Sequence, residues 1–176
     1  MGYAIKCYFS QETAEPIYAI WNALANAGLA TFLKESGSRP GITLCVWEDG
    51  QENSLLELLH TFAKSRPELP KISTFGVGAF PTNPSQVFLG ITTTAELLSF
   101  HREFHKTKPS LTTNGSAYYQ PGAWVPHSTL AIRCAPLLVS KIVENCLQYK
   151  TIFQAKIDSI GLLETGTARQ IAEVVF

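Results

Sequence analysis

The sequence has no apolar run near the ~18 residues that a membrane-spanning helix needs, so no bilayer-spanning segment is expected. It has no excess of either charge: fourteen Lys and Arg balance fourteen Asp and Glu, a formal net charge of zero. A protein that grips nucleic acid chiefly by counterion release carries a basic excess, so any such partner is expected to be short or locally held. Charged residues make up only 16% against 45% hydrophobic ones, which excludes an intrinsically disordered chain. The four cysteines, Cys7, Cys45, Cys134 and Cys146, form no CxxC pair, so a zinc or dithiol site has no basis in the sequence. They sit among apolar neighbours, as in Leu44-Cys45-Val46, and are expected to be small buried hydrophobes. The N-terminal Met1-Gly2-Tyr3-Ala4-Ile5-Lys6 has no signal-peptide apolar region, and Lys6 stands where a myristoylation motif wants Ser or Thr. A cytoplasmic monomer is the expectation. Asn114-Gly115-Ser116 fits a glycosylation sequon, but without a secretory signal it reads as a turn.

What is present is an ordered alternation of strands and helices. Aromatic and β-branched residues from Tyr3 to Phe9 predict a strand. Ile17, Ile20, Trp21 and Leu24 recur at helical spacing, predicting a helix from about Thr13 to Ala27 with Gly28 as its stop. Ile42 to Trp47 is a strand. Ser54-Leu55-Leu56-Glu57 reads as a capping box that opens a helix ending at Arg66-Pro67. Ile72 to Phe80, with Gly76 and Gly78 inside it, is a strand with a bulge or close backbone approach. The second half repeats the order: a strand over 86–92, a helix capped by Thr93-Thr94-Ala95-Glu96, and a strand over 124–133. A helix opened by Pro136 and a strand over 153–163 complete it, with a last strand over 170–176. The polar segment 107–122 is the longest loop, a length that often carries function.

Each half therefore reads β-α-β-α-β. Arg39-Pro40-Gly41-Ile42-Thr43-Leu44-Cys45 and Val125-Pro126-His127-Ser128-Thr129-Leu130-Ala131 are the most alike segments, with Gly41 and His127 standing 86 residues apart in a chain of 176. This predicts a single bilobal α+β domain over 1–176, duplicated as halves of about 1–84 and 85–176, with pseudo-two-fold symmetry and antiparallel sheets lining a central groove. Residues two apart in a strand share a face, so His127 would face with Thr129 and Gly41 with Thr43. An imidazole with a hydroxyl, presented twice across a groove, suits a phosphodiester. The hydroxyls donate to phosphoryl oxygens, one imidazole takes a proton from the nucleophile and the other gives one to the leaving oxygen.

Pro126-His127-Ser128-Thr129-Leu130-Ala131, preceded by Gly122-Ala123-Trp124-Val125, resembles the second HxT motif of the two-histidine phosphoesterases, which include 2′-5′ RNA ligase-like proteins and cyclic-nucleotide phosphodiesterases. Arg39 to Leu44 stands where the first motif belongs, with Gly41 in place of its histidine. The resemblance implies metal-independent hydrolysis of 2′,3′-cyclic phosphates or 2′-5′ phosphodiesters in nucleotides or short RNA, with no cofactor. His127 would transfer the proton, and Thr129 and Thr43 would hold the phosphate. Gly41 cannot transfer a proton, and losing one acid or base costs about 10²- to 10⁴-fold in rate. Three readings stay open at Gly41: a natural nucleotide- or RNA-binding module without activity, an engineered inactive form, or an enzyme in which water or another side chain stands in.

Other residues carry weaker signals. Tyr118, Tyr119 and Trp124 precede the motif and could stack on a base, Tyr119 favoured because it lies nearer; loop anchoring by aromatic packing is the alternative. Arg39 flanks the first segment as a candidate substrate contact and Arg133 the second, while Lys6 on the first strand is undecided. His101 and His105, an i, i+4 pair, have no evident third ligand, so no metal site is expected. His60, between Leu59 and Phe62, is expected to be structural.

Overall fold

A computed structural model describes residues 2–65, 67–107 and 115–176. Arg66 of the expected helix stop, Asn114 of the sequon and 108–114 of the long loop lie outside the described residues.

The strands are β1 (Tyr3–Phe9), β2 (Gly41–Trp47), β3 (Ile72–Phe80), β4 (Ser85–Ile91), β5 (His127–Cys134), β6 (Gln154–Ala155), β7 (Ile157–Glu164) and β8 (Gln170–Val175). The helices among the described residues are α1 (Gln11–Asn26), α2 (Phe32–Glu35), α3 (Glu52–Lys64), α4 (Ala95–Lys106) and α5 (Val139–Cys146). The strands form two four-stranded antiparallel sheets, ordered β2-β1-β7-β8 and β5-β4-β3-β6. The two orders match position for position: β1 corresponds to β4, β2 to β5, and β7 to β3. Each sheet takes its third strand from the other half of the chain. The mixed α+β class and antiparallel sheets expected from the sequence are those observed.

The helices cross over as well. Helix α3 packs on β7 and β8, and α5 packs on β3 and β4. Phe62 of α3 meets Phe100 and Phe104 of α4 edge-on, both at 5.3 Å, while α1 contacts β5 and α5. One hydrophobic cluster runs through both sheets, taking Ile5, Cys7 and Phe9 from β1 and Val87, Leu89 and Ile91 from β4. By strand alternation, Lys6 and Tyr8 of β1, and Gln86 and Phe88 of β4, occupy the faces opposite this cluster. All four cysteines are buried thiols, as expected.

Local differences from the sequence reading have physical causes. Helix α3 begins at Glu52 with Gln51 as its cap, so Ser54 lies inside the first turn rather than capping it; the Gln51 carbonyl accepts the Leu55 N–H at 3.1 Å. Thr94 does cap α4, accepting the Leu97 N–H at 3.2 Å. The expected strand over 153–163 is two strands in different sheets: Gln154–Ala155 pairs with β3, and Ile157 onward pairs with β1. The chain changes sheets at Lys156, whose carbonyl accepts the Ser10 N–H and whose N–H reaches Thr13. His60 is exposed on α3, because Leu55, Leu58, Leu59 and Phe62 define its buried stripe. The expected structural role therefore does not hold for it.

Candidate active site

Strands β2 and β5 are the sheet edges that approach one another, with Cα pairs within 8 Å. On β5, His127 is 8% exposed. Its Nδ1 lies 2.7 Å from the Val125 carbonyl oxygen, which can only accept, so Nδ1 carries the proton. Its Nε2 lies 3.1 Å from the Gln86 amide nitrogen, which can only donate, so Nε2 presents a lone pair. The same amide reaches Thr129 Oγ1 at 3.0 Å, tying the two motif side chains together through one residue of β4. Phe80 and Phe88 flank the imidazole at 5.1 and 5.2 Å between ring centres. Burial holds the His127 pKa below its ordinary value; the Val125 carbonyl opposes this, and the positive charge of Lys6 adds to it. At neutral pH the imidazole is an uncharged base.

A cavity of about 280 Å³ opens beside it, with Phe80, Gln86, Tyr118, Tyr119, Trp124 and His127 in its walls. Tyr118 is 80% exposed at the rim, whereas Tyr119 packs against the core and burial pushes its phenol up to about 12. Both tyrosines line the cavity, and Tyr118 is the more exposed of the two. Trp124 is buried; one face stacks on His101 at 3.9 Å, and its indole N–H donates to the Thr43 carbonyl at 3.0 Å. Trp21 does the same for the other motif, donating to the Thr129 carbonyl at 3.1 Å. Two indoles thus fix the two threonine-bearing edges in pseudo-symmetric fashion. His101 donates to the Leu44 carbonyl at 3.0 Å and contacts His105 at 3.1 Å. Burial, then His105, drives the His101 pKa down to about 4 despite the backbone carbonyls beside it. Among the described residues no three His, Cys, Asp or Glu side chains gather as metal ligands would.

The first-motif side differs. Thr43 is half-buried and pairs across the ladder with Lys6, as Gly41 does with Tyr8. A Cβ on Gly41 would meet the Cys7 carbonyl oxygen at 2.0 Å, and the Cys7 carbonyl carbon and Tyr8 Cα at 3.0 Å. All three are β1 backbone atoms, so position 41 is a close approach of two strands rather than an open site missing its side chain. Arg39 lies over the Tyr8 ring at 4.3 Å and is bound to Glu173 at 2.7 Å, so its charge is already partnered. Arg133 stacks on Phe32 at 4.0 Å and donates to the Gly166 carbonyl, and lines a different cavity from the His127 one.

Comparison with known proteins accords with this layout. A model of the 2′-5′ RNA ligase superfamily matches residues 14–169. The chain belongs to that superfamily. No curated protein matches the sequence. Among solved structures, Usb1 of Kluyveromyces marxianus is similar at a TM-score of 0.50 and 8% identity, over 99% of this chain and 97% of that one. The same protein with uridine monophosphate gives a TM-score of 0.48 at 8% identity and the same coverages. At this identity the likeness concerns the fold. Superfamily membership agrees with the resemblance seen in Pro126 to Ala131, and no helix among the described residues is long and apolar enough to cross a membrane.

Gln86, Phe80 and Phe88 were not singled out from the sequence. Their part in the site depends on which strand lies beside β5, and the sequence carries no local signal for that pairing.

Proposed function

We propose that this chain is a phosphodiesterase acting, without a metal, on nucleotides or short RNA carrying a 2′,3′-cyclic phosphate or a 2′-5′ linkage. The observation that carries the reading is His127: a buried imidazole at the wall of an aromatic cavity, with Nδ1–H locked to a carbonyl and an unprotonated Nε2 that accepts from the Gln86 amide. Such a group takes a proton from an attacking water or hydroxyl. The hydroxyls of Thr129 and Thr43 donate to phosphoryl oxygens, stabilising the charge that grows there. The base lies against Tyr118, where stacking contributes about 1–3 kcal/mol. Product analysis after incubation with a nucleoside 2′,3′-cyclic phosphate and with a 2′-5′ dinucleotide tests the reading. The wild-type chain is expected to convert at least one, and His127→Ala to lose about 10²- to 10⁴-fold. Equal rates for the two proteins would overturn it.

Gly41 favours a second reading, a module that binds the same ligands without cutting them. Calorimetric binding of the cyclic nucleotide together with no product formation would establish that reading instead.

A further inference from the structure

Resting on the phosphodiesterase reading, we infer that Lys6 is the second proton-transfer group, supplying from β1 the acid that position 41 of β2 cannot supply. Lys6 is directly across the ladder from Thr43, on the sheet face opposite the core cluster and two pairs along from Tyr8 and Gly41. Its ammonium donates to the Arg39 carbonyl oxygen at 2.6 Å, two residues before Gly41, which holds the nitrogen at the start of the first motif. The side chain is half-buried and lines a cavity of about 180 Å³, distinct from the one beside His127, with Tyr8, Ser36, Ser38, Arg39 and Arg169. The β1 and β2 backbones approach too closely at Gly41 to admit a Cβ, and the neighbouring β1 side chain brings a titratable nitrogen to the same end of the strand pair.

The electrostatics agree with this placement. Burial first, then the Arg39 guanidinium, lowers the Lys6 pKa to about 8, and the Lys6 charge is itself felt at His127. The charged groups around it are Arg39, which Glu173 neutralises, and Arg169, which Glu164 partners. At neutral pH Lys6 is mostly an ammonium while His127 is a neutral base, the complementary pair that the reaction needs. The step balances without a further reactant. Water oxygen bonds to phosphorus as the bond from phosphorus to one ribose oxygen breaks. His127 Nε2 takes the proton from water, and Lys6 Nζ gives one to the departing oxygen. The products are a phosphate monoester and a free hydroxyl, and the two side chains exchange the proton back through solvent.

The test uses two leaving groups. A ribose oxygen leaves poorly without a proton, whereas p-nitrophenolate leaves readily unprotonated. Rates are measured for wild type, Lys6→Met, Lys6→Arg and His127→Ala on a nucleoside 2′,3′-cyclic phosphate and on the p-nitrophenyl ester of a nucleoside 3′-phosphate. Lys6→Met and Lys6→Arg are expected to lose about 10²- to 10⁴-fold on the cyclic phosphate and less than about tenfold on the p-nitrophenyl ester. His127→Ala is expected to lose rate on both. The wild-type pH profile should fall on its alkaline side near pH 8, and that limb should be missing from Lys6→Arg. Wild-type rates for both Lys6 variants on the cyclic phosphate, with His127→Ala impaired, would overturn the role of Lys6 and leave the phosphodiesterase standing. Indistinguishable rates for wild type and His127→Ala on both substrates would overturn both.

Discussion

Gly41→Ala adds one methyl group at the point where β1 and β2 come closest. In most strands Gly to Ala stabilises by reducing the freedom of the unfolded chain, by about 0.4–1 kcal/mol. Here the new Cβ would stand 2.0 Å from the Cys7 carbonyl oxygen and 3.0 Å from two further β1 backbone atoms. None of these is the tip of a flexible side chain, so the strands must separate. Overpacking of a well-packed interior costs about 1–3 kcal/mol, and here it would also stretch the pairing of Tyr8 with Gly41. The net expectation is a loss of about 2 kcal/mol. For a chain of 176 residues that lowers Tm by about 4–8 °C. Thermal and urea unfolding of wild type and Gly41→Ala measure it directly. Gly41→His should lose at least as much stability and gain no phosphodiesterase rate, because its ring cannot reach the groove while β1 holds its place. A neutral or stabilised Gly41→Ala, or a Gly41→His protein with a raised rate, would refute the close-approach reasoning.

Three other outcomes follow from named contacts. His101 has a pKa of about 4 in the fold against about 6.5 unfolded, so the unfolded chain binds the proton first as pH falls. Stability is therefore full above pH 6.5 and declines by about 3 kcal/mol down to pH 4; urea titrations in that window should show the slope, and His101→Gln should flatten it. Gln86→Leu removes the amide that bridges His127 and Thr129. It should raise the pH at which His127 loses its base function and reduce kcat more than it changes KM, read from pH–rate profiles. Tyr118→Ala should weaken nucleotide binding by about 1–3 kcal/mol with little effect on Tm, whereas Tyr119→Ala, packed against the core, should lower Tm; calorimetry and thermal unfolding separate the two.

The elements themselves were legible because their signals are local. Tyr3 to Phe9, rich in aromatic and β-branched residues, is a strand, Thr94 caps its helix, and the stripe Ile17, Ile20, Trp21 and Leu24 is buried as its spacing implied. The likeness of the segments around Gly41 and His127 marked them as corresponding strands, and the structure puts both at sheet edges. What could not be read was pairing between distant segments. Only Lys156 separates a strand of one sheet from a strand of the other, and nothing in Gln154 to Ile157 marks the crossing. Gln86 becomes a site residue only through the register of β4 on β5, and Trp21 only through the packing of α1 against the opposite half. Trp124 read as a stacking surface because it is aromatic and near the motif, yet His101 covers one of its faces and Thr43 takes its N–H. Gly41 looked like a lost side chain, whereas the approach of the Cys7 carbonyl gives the glycine a structural reason of its own.

The most direct measurement is a crystal structure with a nucleoside 2′,3′-cyclic phosphate or its phosphorothioate bound. The account predicts phosphoryl oxygens within hydrogen-bond reach of the Thr43 and Thr129 hydroxyls, His127 Nε2 facing the phosphorus, and the base against Tyr118. Density for the ligand on any other surface, with the cavity beside His127 empty, would contradict it.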